Sequence, residues 1–213
     1  QLHMFDQDKQ GIDYIDNREK SGIPERLANG VPARPAPFAT GQPMASPPEP
    51  DVESLPLVLP AGWDRVESDL LRIYTAVLDN YRTDRQRVYL SGVSYGGFGT
   101  WYMASKHPQL FAAIAAVVGW GHPALMPPIA AAQLPVWVFA GGRDTAVLQE
   151  NFYPGLNRLE ALGHRQLRFT SHQDMEHDAW TRIYAGQDIY DWLLSQRLDA
   201  AFRNASNSAA PQP

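Results

Sequence analysis

The chain has 213 residues and a mass of 23.7 kDa, a size that fits one α/β domain. Hydrophobic residues make up 44% and charged residues 19%, which excludes a disordered or fibrous chain and leaves enough apolar material for a sizeable core. The 18 Lys and Arg against 23 Asp and Glu give a net charge of −5 without any basic run, so neither a nucleic acid nor a membrane is expected as a partner.

Three further features of the composition narrow the class of protein. No window approaches the length of about 18 apolar residues that a transmembrane helix needs. The chain starts without a charged and apolar leader, so no signal peptide is visible and the compartment stays open. Cysteine is absent, which excludes disulfides, thiolate nucleophiles and cysteine-based zinc sites.

Proline is concentrated near the start of the chain. Nine of the 18 prolines lie between Pro32 and Pro60, and this composition predicts a long loop at 32–54 inside a single domain that spans 1–213. A linker between two domains is the alternative, but residues 1–31 are too few for a core of their own. We expect the loop to be mobile or to cover the site, and residues 199–213 to form a frayed tail.

Regular alternation of strands and helices follows the loop. The predicted strands are 55–59, 87–91, 111–118, 136–140 and 167–170, and the predicted helices are 66–81, 95–107, 148–162 and 179–198. This order predicts a mostly parallel sheet with helices on both faces. In such sheets, ligands bind beyond the carboxyl ends of the strands, so the residues that follow each strand are the candidates for function.

The segment Gly92-Val93-Ser94-Tyr95-Gly96 stands between a predicted strand and a predicted helix. G-x-S-x-G in this setting is the nucleophile elbow, a strained turn that projects the serine hydroxyl clear of the sheet. Small residues on either side let the strand and the helix approach closely, and N–H groups at the helix N-terminus can stabilise an oxyanion. An accidental Gly/Ser turn is the alternative reading.

A serine nucleophile needs a base and an acid, which this architecture supplies later in the chain. Asp144 follows the strand 136–140, and His177 precedes the last helix. His172 is the competing base, but it lies at the strand end, where the reach back to Ser94 is poorer. The competing acids are too close in sequence to His177 to reach its far nitrogen: Asp174, Glu176 and Asp178. A turn or capping role is the alternative for Asp144.

Several aromatic residues fall near the predicted site. Trp63, Trp120 and His122 could line a cleft for an acyl chain or an aryl ester, as could Trp180, which follows the base. Packing in the core is the alternative for Trp63 and Trp120. Core packing is the favoured role for three other tryptophans: Trp101, Trp137 and Trp192. No metal site is predicted, because the histidines lack the i, i+4 spacing of zinc hydrolases.

Three separate motifs resemble one group of proteins. They are RVYLSGVSYGGFGTWYMASKHPQLFAAIAAVVGWG, LPVWVFAGGRDTAV and MEHDAWTRIYAGQDIYDWLLSQR. Together they resemble the esterase group of the α/β-hydrolase superfamily, which includes polyhydroxybutyrate-depolymerase-like esterases and proteins labelled predicted peptidases. The likeness covers about 55–198 and occurs in the family's order.

The resemblance implies hydrolysis of short acyl or aryl carboxylic esters through an acyl-enzyme, with no metal or organic cofactor. By motif match, Ser94 would be the nucleophile, Asp144 the acid and His177 the base. The backbone N–H of Tyr95 would be one oxyanion donor. A serine peptidase of the same fold is the first alternative, and a weakly active or non-catalytic binding protein is the second.

The front of the chain departs from this family's pattern. Members begin with further strands, the last of which ends in His-Gly and supplies the second oxyanion donor. Here His3-Met4 either occupies that position, with Met4 where glycine is usual, or marks a native start at Met4. With the upstream strands expected to be absent, an apolar sheet edge would be bare. We therefore predict a homo-oligomer or a companion chain that covers this edge.

Overall fold

The computed structural model describes residues 63–172 and 175–198. Several predictions lie outside these residues: the loop at 32–54, the strand at 55–59, the oxyanion role of Met4 and the tail at 199–213. The other predicted strands and helices lie within the described residues.

The four strands form one parallel sheet in the order β1-β2-β3-β4. Their bounds are Tyr89–Val93 (β1), Ala113–Val117 (β2), Val136–Gly141 (β3) and Leu167–His172 (β4). Every residue of β2 and β3 is buried, which explains why both read as continuous apolar runs in the sequence. The predicted fold class, a parallel sheet with helices, is confirmed.

Six α-helices connect and cover the strands. Their bounds are Trp63–Asn80 (α1), Tyr95–Lys106 (α2), Met126–Ala131 (α3), Tyr153–Ala161 (α4), Trp180–Ile183 (α5) and Asp188–Ser195 (α6), all within the described residues. Short 3₁₀ helices lie at Pro108–Leu110, Pro123–Leu125, Gln149–Phe152 and His177–Ala179. The turn at His177–Ala179 carries the predicted base into the site.

The sheet separates two hydrophobic cores. Val136 and Val138 of β3 face the first core, whereas Trp137 and Phe139 face the second, because successive strand residues point to opposite faces. Trp101 of α2 is buried in the first core. The favoured core roles of Trp101 and Trp137 are therefore confirmed, and both faces of the sheet are covered.

The prediction of one last helix over 179–198 is wrong. The helix α5 ends at Ile183 and α6 begins at Asp188. The N–H of Gly186 bonds the carbonyls of Arg182 and Ile183, so the backbone tightens into a turn instead of continuing. Apolar periodicity runs through this turn, and the sequence pattern therefore hid it.

The helix predicted at 148–162 begins as the 3₁₀ helix Gln149–Phe152 before α4. Pro154 stands in the first turn of α4, where its missing N–H costs no hydrogen bond. Gly163 has a φ of 76°, the left-handed conformation that commonly ends a helix and that glycine adopts readily. The strand predicted at 167–170 continues to His172.

The strand β1 is one of the two outer strands of the described sheet, and β4 is the other. Four of the five residues of β1 are half-buried and Ser91 is exposed, in contrast to the fully buried β2 and β3. The expected second copy or companion chain on this edge stays a prediction. None of the helices within 63–172 and 175–198 is long and apolar enough to cross a membrane.

Candidate active site

Ser94 occupies a strained turn between β1 and α2. Its backbone has a φ of 52° and a ψ of −112°, a conformation that costs free energy and is found at functional turns. The turn is held by two hydrogen bonds, from Ser94 N–H to the carbonyl of Val117 at 2.9 Å and from Phe98 N–H to the carbonyl of Ser94 at 3.0 Å. The strand–turn–helix expected around this serine is therefore present.

Close backbone packing explains the glycines around Ser94. A Cβ atom at Gly92 would lie 2.1 Å from the carbonyl oxygen of Gly96, and one at Gly97 would lie 2.8 Å from that of Val117. A Cβ at Gly96 would meet nothing within 4 Å. The first glycine of the motif is thus required by sterics, whereas the last is not.

The N-terminus of α2 lies directly behind the serine. Tyr95 is its first residue, and the N–H groups of a first helical turn have no acceptor within the helix. They also carry the positive end of the helix dipole, which favours negative charge. The position of Tyr95 is therefore the one expected of an oxyanion donor.

Asp144 lies in the turn that follows β3, and its side chain is fully buried. Its Oδ1 accepts hydrogen bonds from the backbone N–H groups of Ala146 and Val147, both at 2.8 Å. Its Oδ2 lies 2.7 Å from Nδ1 of His177. The sequence left two roles open for Asp144, as a turn residue or as the acid beside the histidine. In the structure Oδ1 holds the turn and Oδ2 contacts His177, so the two roles are compatible.

His177 connects the carboxylate to the serine. Its Nε2 lies 2.9 Å from Oγ of Ser94, while Nδ1 faces Asp144. With Nδ1–H donated to the carboxylate, Nε2 is left to accept the serine proton. The structure thus brings the three predicted residues into one hydrogen-bonded chain of carboxylate, imidazole and hydroxyl.

Backbone contacts hold the aspartate and histidine loops together. The N–H of Gly142 bonds the carbonyl of His172 and the N–H of Arg143 bonds that of Met175, both at 2.9 Å. A Cβ at Gly141 would lie 2.1 Å from the carbonyl oxygen of Glu176. Sequence reasoning did not assign Gly141 a role; the only signal was the glycine pair after a strand.

His172 has a different environment from His177. Its ring stacks on Phe139, with centroids 6.5 Å apart and planes 16° from parallel. It also lines a cavity of about 910 Å³ over β3 and β4, together with Trp137 and Trp192. Neither Ser94 nor Asp144 lines that cavity.

The other predicted pocket residues have packing contacts. The ring of Trp63 lies against Gly99, where a Cβ would approach it to 2.1 Å. Trp120 packs edge to face on Phe98, with centroids 5.4 Å apart. Nδ1 of His122 accepts the N–H of Ala124 at 3.1 Å and so caps a 3₁₀ helix. A substrate contact for these three residues stays a prediction.

Of the predicted pocket residues, Trp180 contacts the histidine His177. The centroids of the two rings lie 5.6 Å apart, and the ring planes form an angle of 80°.

Within 63–172 and 175–198, no three His, Asp or Glu side chains lie close enough together to hold a metal ion.

Comparison with known proteins supports this fold. Residues 64–126, which include Ser94, match the profile of the prolyl oligopeptidase family. A thermostable esterase is 30% identical, with a TM-score of 0.57 over 62% of this chain and 37% of that chain. S-formylglutathione hydrolase of Staphylococcus aureus is 16% identical, with a TM-score of 0.53 over 63% of each chain. No curated protein matches the chain.

A peptidase is also among the similar structures. Acylaminoacyl peptidase of Pyrococcus horikoshii is 15% identical, with a TM-score of 0.52 over 63% of this chain and 28% of that chain. The chain covers less than two thirds of each of these three proteins. Its sheet, its helices and these similarities show that it belongs to the α/β-hydrolase superfamily, with esterase-like relatives.

Proposed function

We propose that this protein is a serine carboxylesterase that hydrolyses short acyl or aryl carboxylic esters. The observation that carries the proposal is the chain of hydrogen bonds from Asp144 through His177 to Ser94, at 2.7 Å and 2.9 Å. A serine hydroxyl is a weak nucleophile, and an adjacent base held in one tautomer is what activates it.

In the proposed mechanism, Ser94 attacks the ester carbonyl while Nε2 of His177 takes the hydroxyl proton. The N–H of Tyr95 donates to the oxyanion of the tetrahedral intermediate. His177 then gives the proton to the leaving alcohol, which departs as the acyl-enzyme forms. Water, deprotonated by the same histidine, attacks the acyl-enzyme, and His177 returns the proton to Oγ of Ser94 as the bond between Oγ and the acyl carbon breaks and the acid leaves.

Asp144 is suited to support the charge that develops on His177. Its buried carboxylate accepts two backbone hydrogen bonds in addition to the one from the imidazole. These bonds fix the carboxylate in place, and its negative charge stabilises the imidazolium formed at each step.

A serine peptidase is the second candidate function. It is favoured by the match of residues 64–126 to the prolyl oligopeptidase family. An amide differs from an ester in its poorer leaving group, which must be protonated as it departs. The same three side chains can supply that proton, so the choice between the two reactions depends on the substrate.

Steady-state hydrolysis of p-nitrophenyl acetate and of the matching p-nitroanilide tests both proposals. We expect the wild type to cleave the ester much faster than the anilide, and Ser94→Ala to lower ester hydrolysis by several orders of magnitude. Ser91→Ala is the matched control, because Ser91 lies on β1, three residues before Ser94, and its hydroxyl donates to the carbonyl of Ala115. Ester activity of Ser94→Ala within tenfold of wild type would refute the assignment, and faster anilide cleavage would favour the peptidase.

A further inference from the structure

His177 forms a hydrogen bond at each ring nitrogen, but these two bonds still allow the imidazole to rotate about the line between the two nitrogens. Nδ1 faces Asp144 and Nε2 faces Ser94, on opposite sides of the imidazole. Hydrogen bonds at two ends of a ring do not by themselves fix the tilt of its plane about the line that joins them. That tilt decides how the Nε2 lone pair points at the serine proton.

Trp180 lies against the imidazole ring of His177. Its ring stands at 80° to the imidazole, with the two centroids 5.6 Å apart. His177 opens the 3₁₀ turn His177–Ala179, and Trp180 comes three residues later. Side chains three residues apart eclipse in a 3₁₀ turn, so the local backbone brings the two rings together.

The indole also packs against a hydrophobic core. Trp180 is half-buried and packs against the second core, whose members include Val117, Phe139 and Ala179. The tryptophan therefore links a close-packed core to a histidine whose side chain is 22% exposed. A side chain that is packed against a core can hold the imidazole at a fixed angle, whereas mobile solvent cannot.

We propose that Trp180 is a positioning residue of His177, which fixes the plane of the imidazole for proton transfer with Ser94. The inference rests on the function proposed above and adds to it a residue that the hydrogen-bonded chain does not contain.

Three substitutions at this position test the proposal by the separation of kcat from KM. Trp180→Leu keeps apolar volume but removes the ring, and we expect kcat for p-nitrophenyl acetate to fall on the order of 10- to 100-fold with little change in KM. Trp180→Phe restores an aromatic face, so its kcat should recover most of this loss. The loss of kcat in Trp180→Ala should equal or exceed that in Trp180→Leu.

Trp192→Leu is the matched control. Trp192 packs against the same second core, and its ring meets that of Trp137 edge to face with centroids 5.4 Å apart. It lies on α6, away from the turn that carries His177. Thermal unfolding of all variants checks that they fold. We expect Trp192→Leu to lower the unfolding temperature while kcat stays within about threefold of wild type, because it disturbs packing alone.

Two outcomes overturn the inference: a kcat for Trp180→Leu equal to that of Trp192→Leu, or a Trp180→Phe variant no better than Trp180→Leu. The Ser94→Ala variant, measured in parallel, separates this failure from that of the proposed function. If Ser94→Ala is inactive while Trp180→Leu is unimpaired, the positioning role alone is wrong. If Ser94→Ala is active, the proposed function is wrong as well.

Discussion

Within the described residues, two groups combine a carboxylate, an imidazole and a hydroxyl, and the hydrogen bonds connect the three kinds of side chain in a different order in each group. At the carboxyl ends of the strands the imidazole is central: His177 lies between the carboxylate of Asp144 and the hydroxyl of Ser94. Between α1 and α2 the carboxylate is central. Oε2 of Glu67 accepts the hydroxyl of Tyr102 and Oε1 faces Nε2 of His107, each at 2.6 Å.

The difference in order decides whether the imidazole contacts the hydroxyl directly. A hydroxyl beside an imidazole nitrogen can give up its proton to it and become a nucleophile. In the second group the hydroxyl of Tyr102 and the imidazole of His107 each face a different oxygen of Glu67, so the imidazole is not placed to take the hydroxyl proton directly. Connectivity, rather than the kinds of residue present, therefore marks the first group as the candidate active site.

The second group has the character of a helix clamp. Hydrogen bonding from Tyr102 lowers the pKa of the Glu67 carboxyl, helped by the hydrogen bond and charge of His107 and by Lys106, against a burial effect that raises it. The net lowering means that the folded state favours the ionised carboxylate. The clamp connects α1 to α2, the helix that begins at the serine turn.

The largest expected effect is the difference in activity between the variants of His177 and His107. We expect His177→Ala to lower kcat/KM for p-nitrophenyl acetate by about three orders of magnitude or more, because serine and base act as one unit. His107→Ala should leave kcat/KM within about threefold of wild type, since it removes only the hydrogen bond between His107 and Glu67, which does not reach Ser94. Equal losses for the two variants would contradict the distinction between the groups. His172→Ala should be milder than His177→Ala.

The two glycines of the serine motif should differ almost as strongly. A Cβ at Gly92 would lie 2.1 Å from a backbone oxygen that cannot move independently, so we expect Gly92→Ala to cost about 3 kcal/mol or more of unfolding free energy. Gly96→Ala should be neutral or stabilising by up to about 1 kcal/mol, because Gly96 lies in a helix with open space at its Cβ position. Urea denaturation measures both, and a Gly92→Ala variant as stable as Gly96→Ala would show that the close approach is wrong.

Breaking the clamp should affect stability but not catalysis. Glu67→Gln weakens the hydrogen bonds of Tyr102 and His107, and we expect a loss of about 1 kcal/mol in unfolding free energy with kcat/KM unchanged. Glu160→Gln on the exposed face of α4 is the matched control and should change neither quantity. A large fall in kcat/KM for Glu67→Gln would instead connect the clamp to the chemistry.

The smallest effect is the pH dependence of that loss. Because the folded pKa of Glu67 is lowered from its ordinary value of 4.5, its stabilising contribution is complete above that pH and disappears as pH falls through the folded pKa. The difference in unfolding free energy between wild type and Glu67→Gln should therefore be constant near neutral pH and shrink below pH 4.5. If the difference in unfolding free energy grew as the pH fell, the pKa of Glu67 would be raised in the folded state instead of lowered.

Much of the site's geometry could be predicted from the sequence. Gly92 and Ser94 lie where a strand meets a helix, and parallel strands bring their carboxyl ends to one edge, so Asp144 and His177 were expected near the serine. The strands β2 and β3 were readable because they are fully buried and thus continuously apolar. That these side chains perform catalysis remains the proposal that the variants test.

Other features depend on contacts between distant residues and left no pattern in the sequence. The clamp joins Glu67 to Tyr102 and His107, which are 35 and 40 residues away. The need for glycine at 141 arises only from the carbonyl of Glu176 across the turn. The break before α6 was hidden because apolar periodicity continues through it.

Labelling with a fluorophosphonate, followed by peptide mapping by mass spectrometry, tests the central claim most directly, because the reagent reacts with an activated hydroxyl. The connectivity of the two groups predicts one adduct per chain, on Ser94, with Tyr102 unlabelled and with labelling lost in His177→Ala but kept in His107→Ala. An unlabelled wild-type protein, or an adduct on another residue that forms equally well without His177, would contradict it.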